Sequence, residues 1–330
     1  MNSILKAVGA SLIAAALAVA GGCSSASKPV NPHAISLTPM DPAVVAKGRT
    51  VKVFRGGDGA AVQWDALVST AAGADVVIIG ENHGHKLGLA FASDLWLDVL
   101  DRQGQAVLSM EFIDRDDQSR LDDYLQGLWD ENAFLKATRR ISDDVYPPGH
   151  RAMVQAAKAK GRPVIASNAP RPYVTAARKD GYERLTRLTA EEKRMFRIPD
   201  ELPTGKYRAD FEKVMSDPAM ASHGDPTAKA KEESPEEKQK RLDAGFRAQS
   251  LWDWTMADSI ARAVDRDGKP VTHVVGRFHC DFNGGLVQAL NKLRPGTSIV
   301  TVSVVDASSD TLRTEDKDRG TFVVYVGTEP

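Results

Sequence analysis

An acid and two histidines follow directly after an unbroken aliphatic run near residue 80. Glu81, His83 and His85 come after Val76–Ile79 and a single glycine. A short apolar run without alternation is typical of a strand buried on both faces of a parallel sheet. In open α/β sheets, ligands bind beyond the carboxyl ends of such strands. These side chains are therefore predicted to lie at a site of binding or catalysis, with His85 the weakest candidate because Gly84 allows it to point away.

Polar side chains follow three further apolar runs along the chain. Each run is short, so each predicts another strand of the same parallel sheet. Because the carboxyl ends of parallel strands meet at one edge, we expect these side chains to lie together, and polar groups buried together need partners or a ligand. Any single one could instead cap a helix or be an ordinary hydrogen-bonded residue. With the first run they define the strand-end set: Glu81, His83, Glu111, Asn168, Arg171 and His279.

The residue types of the strand-end set narrow the chemistry. Glu81, His83 and His279 are suitable ligands for a divalent transition metal. Glu111 would serve as a general base if burial raised its pKa, and Arg171 would neutralise a carboxylate or a developing oxyanion. The candidate metal ligands are dispersed, however, and neither H-E-x-x-H nor C-x-x-C spacing occurs. The set predicts a polar site whose role, catalytic or binding, stays open.

Strands and helices alternate along the chain, which predicts right-handed βαβ units. The expected fold is α/β, with a mostly parallel central sheet flanked by helices. Between about 181 and 245 the apolar pattern weakens, which favours a helical or mobile insertion suited to a lid or a partner surface. Trp252, Trp254, Met256 and Ile260 recur at helical spacing and are expected in the core. Helices are predicted over 61–72, 86–103, 116–127, 150–160, 246–264 and 284–293. The strand that carries Glu111 is predicted over 105–112, and late strands over 298–305 and 321–326.

The composition limits the classes of partner and of site. With 330 residues and a formal charge of −1, the chain is long enough for one large domain or two modest ones, and it lacks the basic character that nucleic-acid binding requires. No G-x-x-x-x-G-K, G-x-G-x-x-G or G-x-S-x-G motif occurs, which argues against the common nucleotide sites and the serine-hydrolase elbow. His33 and His150 lie in a predicted linker and a predicted turn, so we expect them at the surface.

The amino terminus differs in kind from the rest of the chain. Lys6 precedes an apolar, alanine-rich run over 7–20, and small residues lead into Cys23. This pattern predicts a signal peptide over residues 1–22, too short and glycine-interrupted for a transmembrane helix. The position of Cys23 resembles the bacterial lipobox, in which that thiol is acylated, by palmitate among other chains. The alternative is a plain cleaved signal with a chance cysteine.

Cysteine usage and the residues after Cys23 indicate where the protein is found. Cys280 is the only other cysteine, so an acylated Cys23 leaves it unpaired, and a buried, inert thiol is expected. Ser24 suits sorting to the outer membrane. The chain is thus expected in the bacterial cell envelope, lipid-anchored at the outer membrane and facing the periplasm. Residues 23–45 read as a flexible anchored linker, and 46–330 as the α/β domain.

Five short motifs occur in order over about 74–293, which is the whole globular body. They are Gly80-Glu81-Asn82-His83; Met110-Glu111-Phe112; Ser167-Asn168-Ala169-Pro170-Arg171; Gln249, Asp253 and Met256-Ala257; and Gly276-Arg277-Phe278-His279. In this order they resemble the motifs of the ChaN-type haem-binding lipoproteins, within the Tiki/TraB/erythromycin-esterase-like superfamily. Because each motif is short, the specificity of the resemblance comes from their order.

The resemblance implies an α/β fold, an acylated membrane-attached protein, and haem handling in bacterial iron uptake or storage. ChaN-type proteins bind haem through a tyrosine, with two haems stacked at a dimer interface, so haem and a second copy of the chain are the implied partners. Ligation by tyrosine is chemically sensible because phenolate binds ferric iron. Tyr207 and Tyr146 are the candidate ligands here. Neither lies in one of the five motifs, and each could be an ordinary half-buried tyrosine.

A hydrolase is the alternative that the resemblance leaves open. Related branches of the superfamily are metal-dependent peptidases or esterases with the same pair of G-x-x-H motifs. Glu81, His83 and His279 would then surround a metal or an activated water, and Glu111 would be the base. The amide and guanidinium groups of the strand-end set would orient the substrate. A structural lipoprotein with a vestigial polar edge is the third option.

Overall fold

The computed structural model describes residues 35–216 and 233–329, so the predicted signal peptide, Cys23 and most of the predicted linker lie outside the described residues. The first helix, α1 (Pro42–Gly48), begins inside the last residues of that linker. No helix within the described ranges has both the length and the apolar character that crossing a bilayer requires.

A single sheet of eight strands forms the centre of the described part of the chain. Its strands are β1 (Lys52–Arg55), β2 (Ala61–Val62), β3 (Val76–Glu81), β4 (Val107–Asp114), β5 (Val164–Asn168), β6 (Val271–Gly276), β7 (Ile299–Val305) and β8 (Phe322–Tyr325). The order across the sheet is β2-β1-β8-β7-β3-β6-β4-β5. All pairings from β8 to β5 are parallel, and β1 and β2 form an antiparallel extension at one edge.

Helices cover both faces of this sheet, and the expected α/β fold with a mostly parallel sheet is confirmed. After α1 the described helices are α2 (Trp64–Ala72), α3 (Lys86–Arg102), α4 (Gln118–Leu125), α5 (Glu131–Ala137), α6 (Pro148–Ala159), α7 (Arg171–Asp180), α8 (Tyr182–Thr186), α9 (Lys206–Met215), α10 (Pro235–Arg266) and α11 (Gly285–Leu293). The core on one face contains residues of α3 and α6, and the core on the other contains residues of α10 and α11.

The aliphatic run of β3 follows from its position between these two cores. Val77 and Ile79 pack into the first core, whereas Val76 and Ile78 pack into the second. Successive side chains of a strand point to opposite faces. A strand covered on both faces is therefore apolar at every position, which is why the sequence shows no alternation here.

The strands that carry the strand-end set are neighbours in the sheet. β3, β6, β4 and β5 lie side by side, so their carboxyl ends meet at one edge. Glu81 is the register partner of Gly276, and Asp114 is the register partner of Asn168. β4 runs two residues beyond its predicted end, through a register shift after Met110. The sheet order therefore brings the four strand ends together, which is the predicted convergence.

The helix α10 differs most from its prediction. It is 32 residues long and starts well before the predicted 246–264, because Ser234 and Glu237 form a capping box that satisfies its first backbone N–H groups. Its first two turns are exposed to solvent, so no apolar face marks them in the sequence. Trp254, Met256 and Ile260 are buried in the core, as expected, whereas Trp252 is only partly buried against it. Together with α8 and α9, the start of α10 occupies the described part of the predicted insertion.

Candidate functional site

The strand-end set lies along the carboxyl edge of the sheet and divides into two neighbouring groups. In one group every carboxylate pairs with an imidazole and every imidazole with a carboxylate. In the other group the polar side-chain atoms have few hydrogen-bond or ion-pair partners. We call the first the paired group, made of Glu81, His83, His150, Glu111, His279 and Asp253. We call the second the open group, made of Asp114, Asn168 and Arg171.

Glu81 is the buried centre of one half of the paired group. His150 Nε2 donates to Glu81 Oε2 at 2.7 Å, and His83 Nδ1 donates to Oε1 at 3.3 Å. Burial alone would raise the pKa of the Glu81 carboxyl, but the charges and hydrogen bonds of the two histidines outweigh it and lower that pKa. Glu81 is thus an ionised carboxylate that holds two imidazoles.

His83 is the accessible member of this half. Its side chain is 48 % exposed, and its ring stands edge-on to Phe112, with ring centroids 5.1 Å apart. Phe112 also packs against His150, at 4.1 Å between centroids. Desolvation acts to lower the pKa of His83, but its hydrogen bond to Glu81 and the charge of Glu111 raise it overall. Within the described residues, His83 Nε2 makes no hydrogen bond, which leaves one ring nitrogen open.

The other half of the paired group is an imidazolium between two carboxylates. His279 Nδ1 donates to Asp253 Oδ1 at 2.6 Å, and its Nε2 lies 3.5 Å from Glu111 Oε1. Burial opposes the charge on His279, but the two carboxylates raise its pKa to about 10. Burial likewise opposes ionisation of Glu111, yet His279, His83 and the Gly276 backbone N–H lower its pKa to about 2. The condition for Glu111 to act as a general base, a pKa raised by burial, is therefore not met, because its histidine partners outweigh desolvation.

Tyr207 connects this imidazolium to α9. Its hydroxyl donates to Asp253 Oδ2 at 2.7 Å, and Gln249 Nε2 donates to the tyrosine oxygen at 3.0 Å. Tyr207 is 2 % exposed, and desolvation together with the Asp253 charge raises the pKa of its hydroxyl well above the usual value. Gly285 is required beside them, because a Cβ there would overlap the Asp253 carboxylate and the Tyr207 ring.

The open group lies at the ends of β4 and β5. Asn168 is 9 % exposed, and its Oδ1 accepts from the Ala169 N–H at 3.0 Å. Arg171 is exposed at the first position of α7 and forms no ion pair within the described residues. Burial, reinforced by the Asp116 charge, raises the pKa of Asp114 to about 6 in spite of the opposing charges of Arg140 and Arg171.

Three other residues named from the sequence belong to neither group. Tyr146 is 1 % exposed and packs in the first core against Phe134, so it offers no face to a ligand. His85 points away, as predicted: its Nδ1 accepts from the Gly88 N–H and caps α3. Cys280 is a buried free thiol whose pKa is raised by burial.

The predicted metal ligands do not assemble. Over 35–216 and 233–329, no group of three or more His, Cys, Asp or Glu side chains has an arrangement that could hold a metal ion. Glu81 pairs with both His83 and His150, whereas His279 is held between Asp253 and Glu111. Glu81 and His279 are therefore matched in charge without a cation, and only the Nε2 atom of His83 is left open.

Three members of these two groups were not predicted from the sequence as site residues, and one expectation was wrong. His150, expected at the surface, is fully buried. Gly149 makes this burial feasible, because a Cβ there would lie only 2.9 Å from Leu89 of α3. The preceding Pro-Pro-Gly turn was the available signal for such a close approach. Asp253 was visible only as part of a helix motif, and Asp114 lay beyond the predicted strand end.

Comparison with known families places this edge in context. A family model described as haem-binding uptake, Tiki superfamily, ChaN, matches residues 67–290. The match extends from within α2 to within α11 and contains the paired group and the open group. No curated protein matches the chain.

Solved structures with a similar fold include one with a bound cofactor in its description. The structure described as cofacial haem binding to ChaN of Campylobacter jejuni aligns with a TM-score of 0.61 and 14 % identity, over 83 % of this chain and 96 % of that one. The type III effector HopBA1 aligns at 0.42 and 12 %, over 86 % and 99 %. An erythromycin esterase EreC mutant in its open conformation aligns at 0.42 and 11 %, over 79 % and 78 %. The first match supports a shared fold for the two chains, and nothing is concluded from the two weaker ones.

Proposed function

The chain belongs to the ChaN family of haem-binding uptake proteins in the Tiki superfamily, and we propose that it binds haem in bacterial iron or haem uptake or storage. The observation that carries this proposal is the family match over residues 67–290, which contains both the paired group and the open group. Similarity to the Campylobacter ChaN structure supports the same fold for the two chains.

The residues at this edge fit a haem group. Haem needs a ligand for its iron and apolar contact for its ring. His83 is half-exposed beside Phe112, and its Nδ1 is held by Glu81 while Nε2 is open. Histidines that bind metals commonly donate their second ring N–H to a carboxylate in this way. When bound, haem iron supplies Lewis-acid and redox chemistry, and the chain's part is to bind and orient it.

The tyrosine ligand implied by the family resemblance falls on Tyr207 rather than on Tyr146. Tyr207 lies beside the paired group, and its hydroxyl donates to the Asp253 carboxylate of that group. It is buried, so it would reach an iron only if α9 shifted. The burial of Tyr146 in the core argues against it. We therefore propose His83 and Tyr207 as the two candidate iron ligands.

Haemin titration tests this function. The chain with Cys23→Ser, purified without lipid, should give a saturable Soret band at a stoichiometric ratio. His83→Ala or Tyr207→Phe should weaken or shift that band, whichever residue ligates the iron, and Tyr146→Phe serves as the matched control that leaves it unchanged. If wild-type protein gives no saturable band, the haem-binding function is contradicted.

We also infer that the protein is exported and acylated at Cys23, and that it is held at the outer membrane facing the periplasm. The support is the amino-terminal pattern of charge, apolar run, small residues and cysteine. Labelled palmitate should be incorporated into the wild-type chain and not into Cys23→Ser. Membrane fractionation of the same two strains would test the location, and a wild-type chain found free of membranes would contradict it.

A homodimer that encloses haem is a further part of the proposal. It follows from the family resemblance, in which two haems stack between two chains. Mass measurement in solution, with and without one equivalent of haemin, tests it. A monomer under both conditions would contradict the dimer and leave haem binding itself untouched.

The metal-dependent hydrolase alternative is not favoured. In 35–216 and 233–329 no group of three or more His, Cys, Asp or Glu side chains is arranged to hold a metal ion, and the similarity to the esterase is too weak to carry an argument. The low pKa of Glu111 makes it a poor proton acceptor near neutral pH.

A further inference from the structure

The open group has hydrogen-bonding capacity that the protein itself does not use. Within the described residues, Asn168 Nδ2 has no acceptor, although the residue is nine-tenths buried. The Nδ2 atom is not fully sealed from solvent and keeps an opening to the edge of the sheet. Buried polar atoms are normally satisfied by protein, water or a ligand. The amide nitrogen is thus placed to donate to a bound molecule.

Arg171 differs from the other arginines near Asp114. Arg115 is committed to Asp258, to Ser259 and to backbone carbonyls. Arg140 is committed to Asp117 and to a backbone carbonyl of β4. The Arg171 side chain makes no hydrogen bond or ion pair with any residue in the described ranges. Its charge nevertheless acts on the Asp114 carboxyl at the same strand end. Its guanidinium is therefore free to turn towards a ligand.

The backbone fixes where Arg171 starts. α7 begins directly after Pro170, with a second proline, Pro172, in its first turn, and prolines set φ close to the helical value at such positions. Arg171 follows Asn168 by three residues, so the free amide and the free guanidinium leave the same strand end. The positive end of the helix dipole adds to the attraction for an anion there.

We propose that Arg171 and Asn168 bind a propionate carboxylate of haem, which makes the open group the subsite that orients the porphyrin. The proposal rests on the proposed haem-binding function. A guanidinium fork matches the two oxygens of a carboxylate, and the amide N–H supplies a further donor. Phe112, on the adjacent strand β4, would lie towards the ring, and His83, in the turn after β3, towards the iron. In the paired group the open ring nitrogen of His83 is assigned to the iron, and the charges of the other members are matched to one another.

The test compares haemin with haemin dimethyl ester, in which both carboxylates are blocked, under the same detergent conditions. Wild-type protein should bind haemin more tightly than the ester. Arg171→Gln should lose about tenfold in affinity for haemin and should bind the ester as wild type does. Asn168→Ala should show a smaller loss with the same selectivity. Arg178→Gln removes a positive charge from an exposed position of the same helix and is the matched control.

The outcomes separate a failure of the carboxylate subsite from a failure of haem binding itself. If Arg171→Gln binds haemin as tightly as wild type does, or if wild type binds the ester as tightly as haemin, the carboxylate subsite is overturned while haem binding stands. A loss equal in Arg178→Gln and Arg171→Gln would show only general charge attraction and would also overturn it. If wild type binds neither compound, both the subsite and the proposed function fail.

Discussion

The paired group and the open group lie at the same edge of one sheet, yet they differ in how their charges are matched. His279 is held between Asp253 and Glu111, and Glu81 is held between His150 and His83. Arg171 and the Asn168 amide have no such partners in the described residues. Matched buried charges stabilise one arrangement and resist change, whereas unmatched groups can bind something else. The paired group therefore holds the edge of the sheet together, whereas the open group is available to a ligand.

The largest expected effect comes from removing the shared imidazolium. His279→Ala would leave Asp253 and Glu111 as buried carboxylates without a counter-charge, so we expect a loss of about 3–5 kcal/mol in the free energy of unfolding. Denaturant unfolding measures it. His83→Ala, at the half-exposed position, is the comparison and should cost about 1 kcal/mol. Equal small losses in both variants would mean that the paired group does not stabilise the fold.

The pH dependence of stability should report the same imidazolium. The His279 pKa is raised from 6.5 to about 10, so its contribution is complete below pH 6.5 and is lost as the pH rises through about 10. Glu111, lowered from 4.5 to about 2, contributes above pH 4.5 and loses its contribution as the pH falls through about 2. Between pH 6.5 and 10 we expect wild type to lose about 2–3 kcal/mol more than His279→Gln does. Parallel profiles for the two proteins would contradict the assignment.

In the open group we expect a smaller effect, in which a substitution stabilises the protein instead of destabilising it. The pKa of Asp114 is raised from 3.8 to about 6, so its contribution is favourable below pH 3.8 and is lost as the pH rises through about 6. Asp114→Asn should therefore stabilise the protein by about 1 kcal/mol above neutral pH and change little near pH 4. Thermal unfolding at the two pH values measures this. Destabilisation above neutral pH would mean that the carboxylate is better matched than the structure indicates.

The smallest effect on stability is expected where the effect on binding is largest. Arg171→Gln removes an exposed side chain without an ion pair, so the free energy of unfolding should change by less than about 0.5 kcal/mol. Denaturant unfolding of this variant and of Arg178→Gln should agree within error. A loss above 1 kcal/mol would place Arg171 with the paired group and would remove the contrast between the two groups.

The sequence was most informative about the sheet. The runs that end at Glu81, Glu111 and Asn168 were apolar at nearly every position, and in the structure they are strands covered on both faces. The start of α10 was not predictable in the same way, because its exposed first turns carry no apolar face. Hydrophobic periodicity reports burial, so it reveals strands and helices only where they are buried.

The candidate site was predictable in membership but not in pairing. Glu81 was expected to hold a metal or a water with His83, yet its shorter contact is to His150, 69 positions later in the chain. That contact depends on Gly149 allowing α6 to approach α3 closely. A close approach between two helices is a property of packing, and the sequence around His150 suggested only a turn.

By itself, the sequence determined that acids, imidazoles, an amide and a guanidinium would meet at one edge of a parallel sheet, because burial of apolar strands dictates where each strand ends. Only the tertiary structure decided which of these groups neutralise each other and which stay open. Protonation and pairing depend on charges a few ångströms apart in space. Glu111 and His279 come within 3.5 Å of each other from distant parts of the chain, and nothing in the local sequence of either encodes that distance.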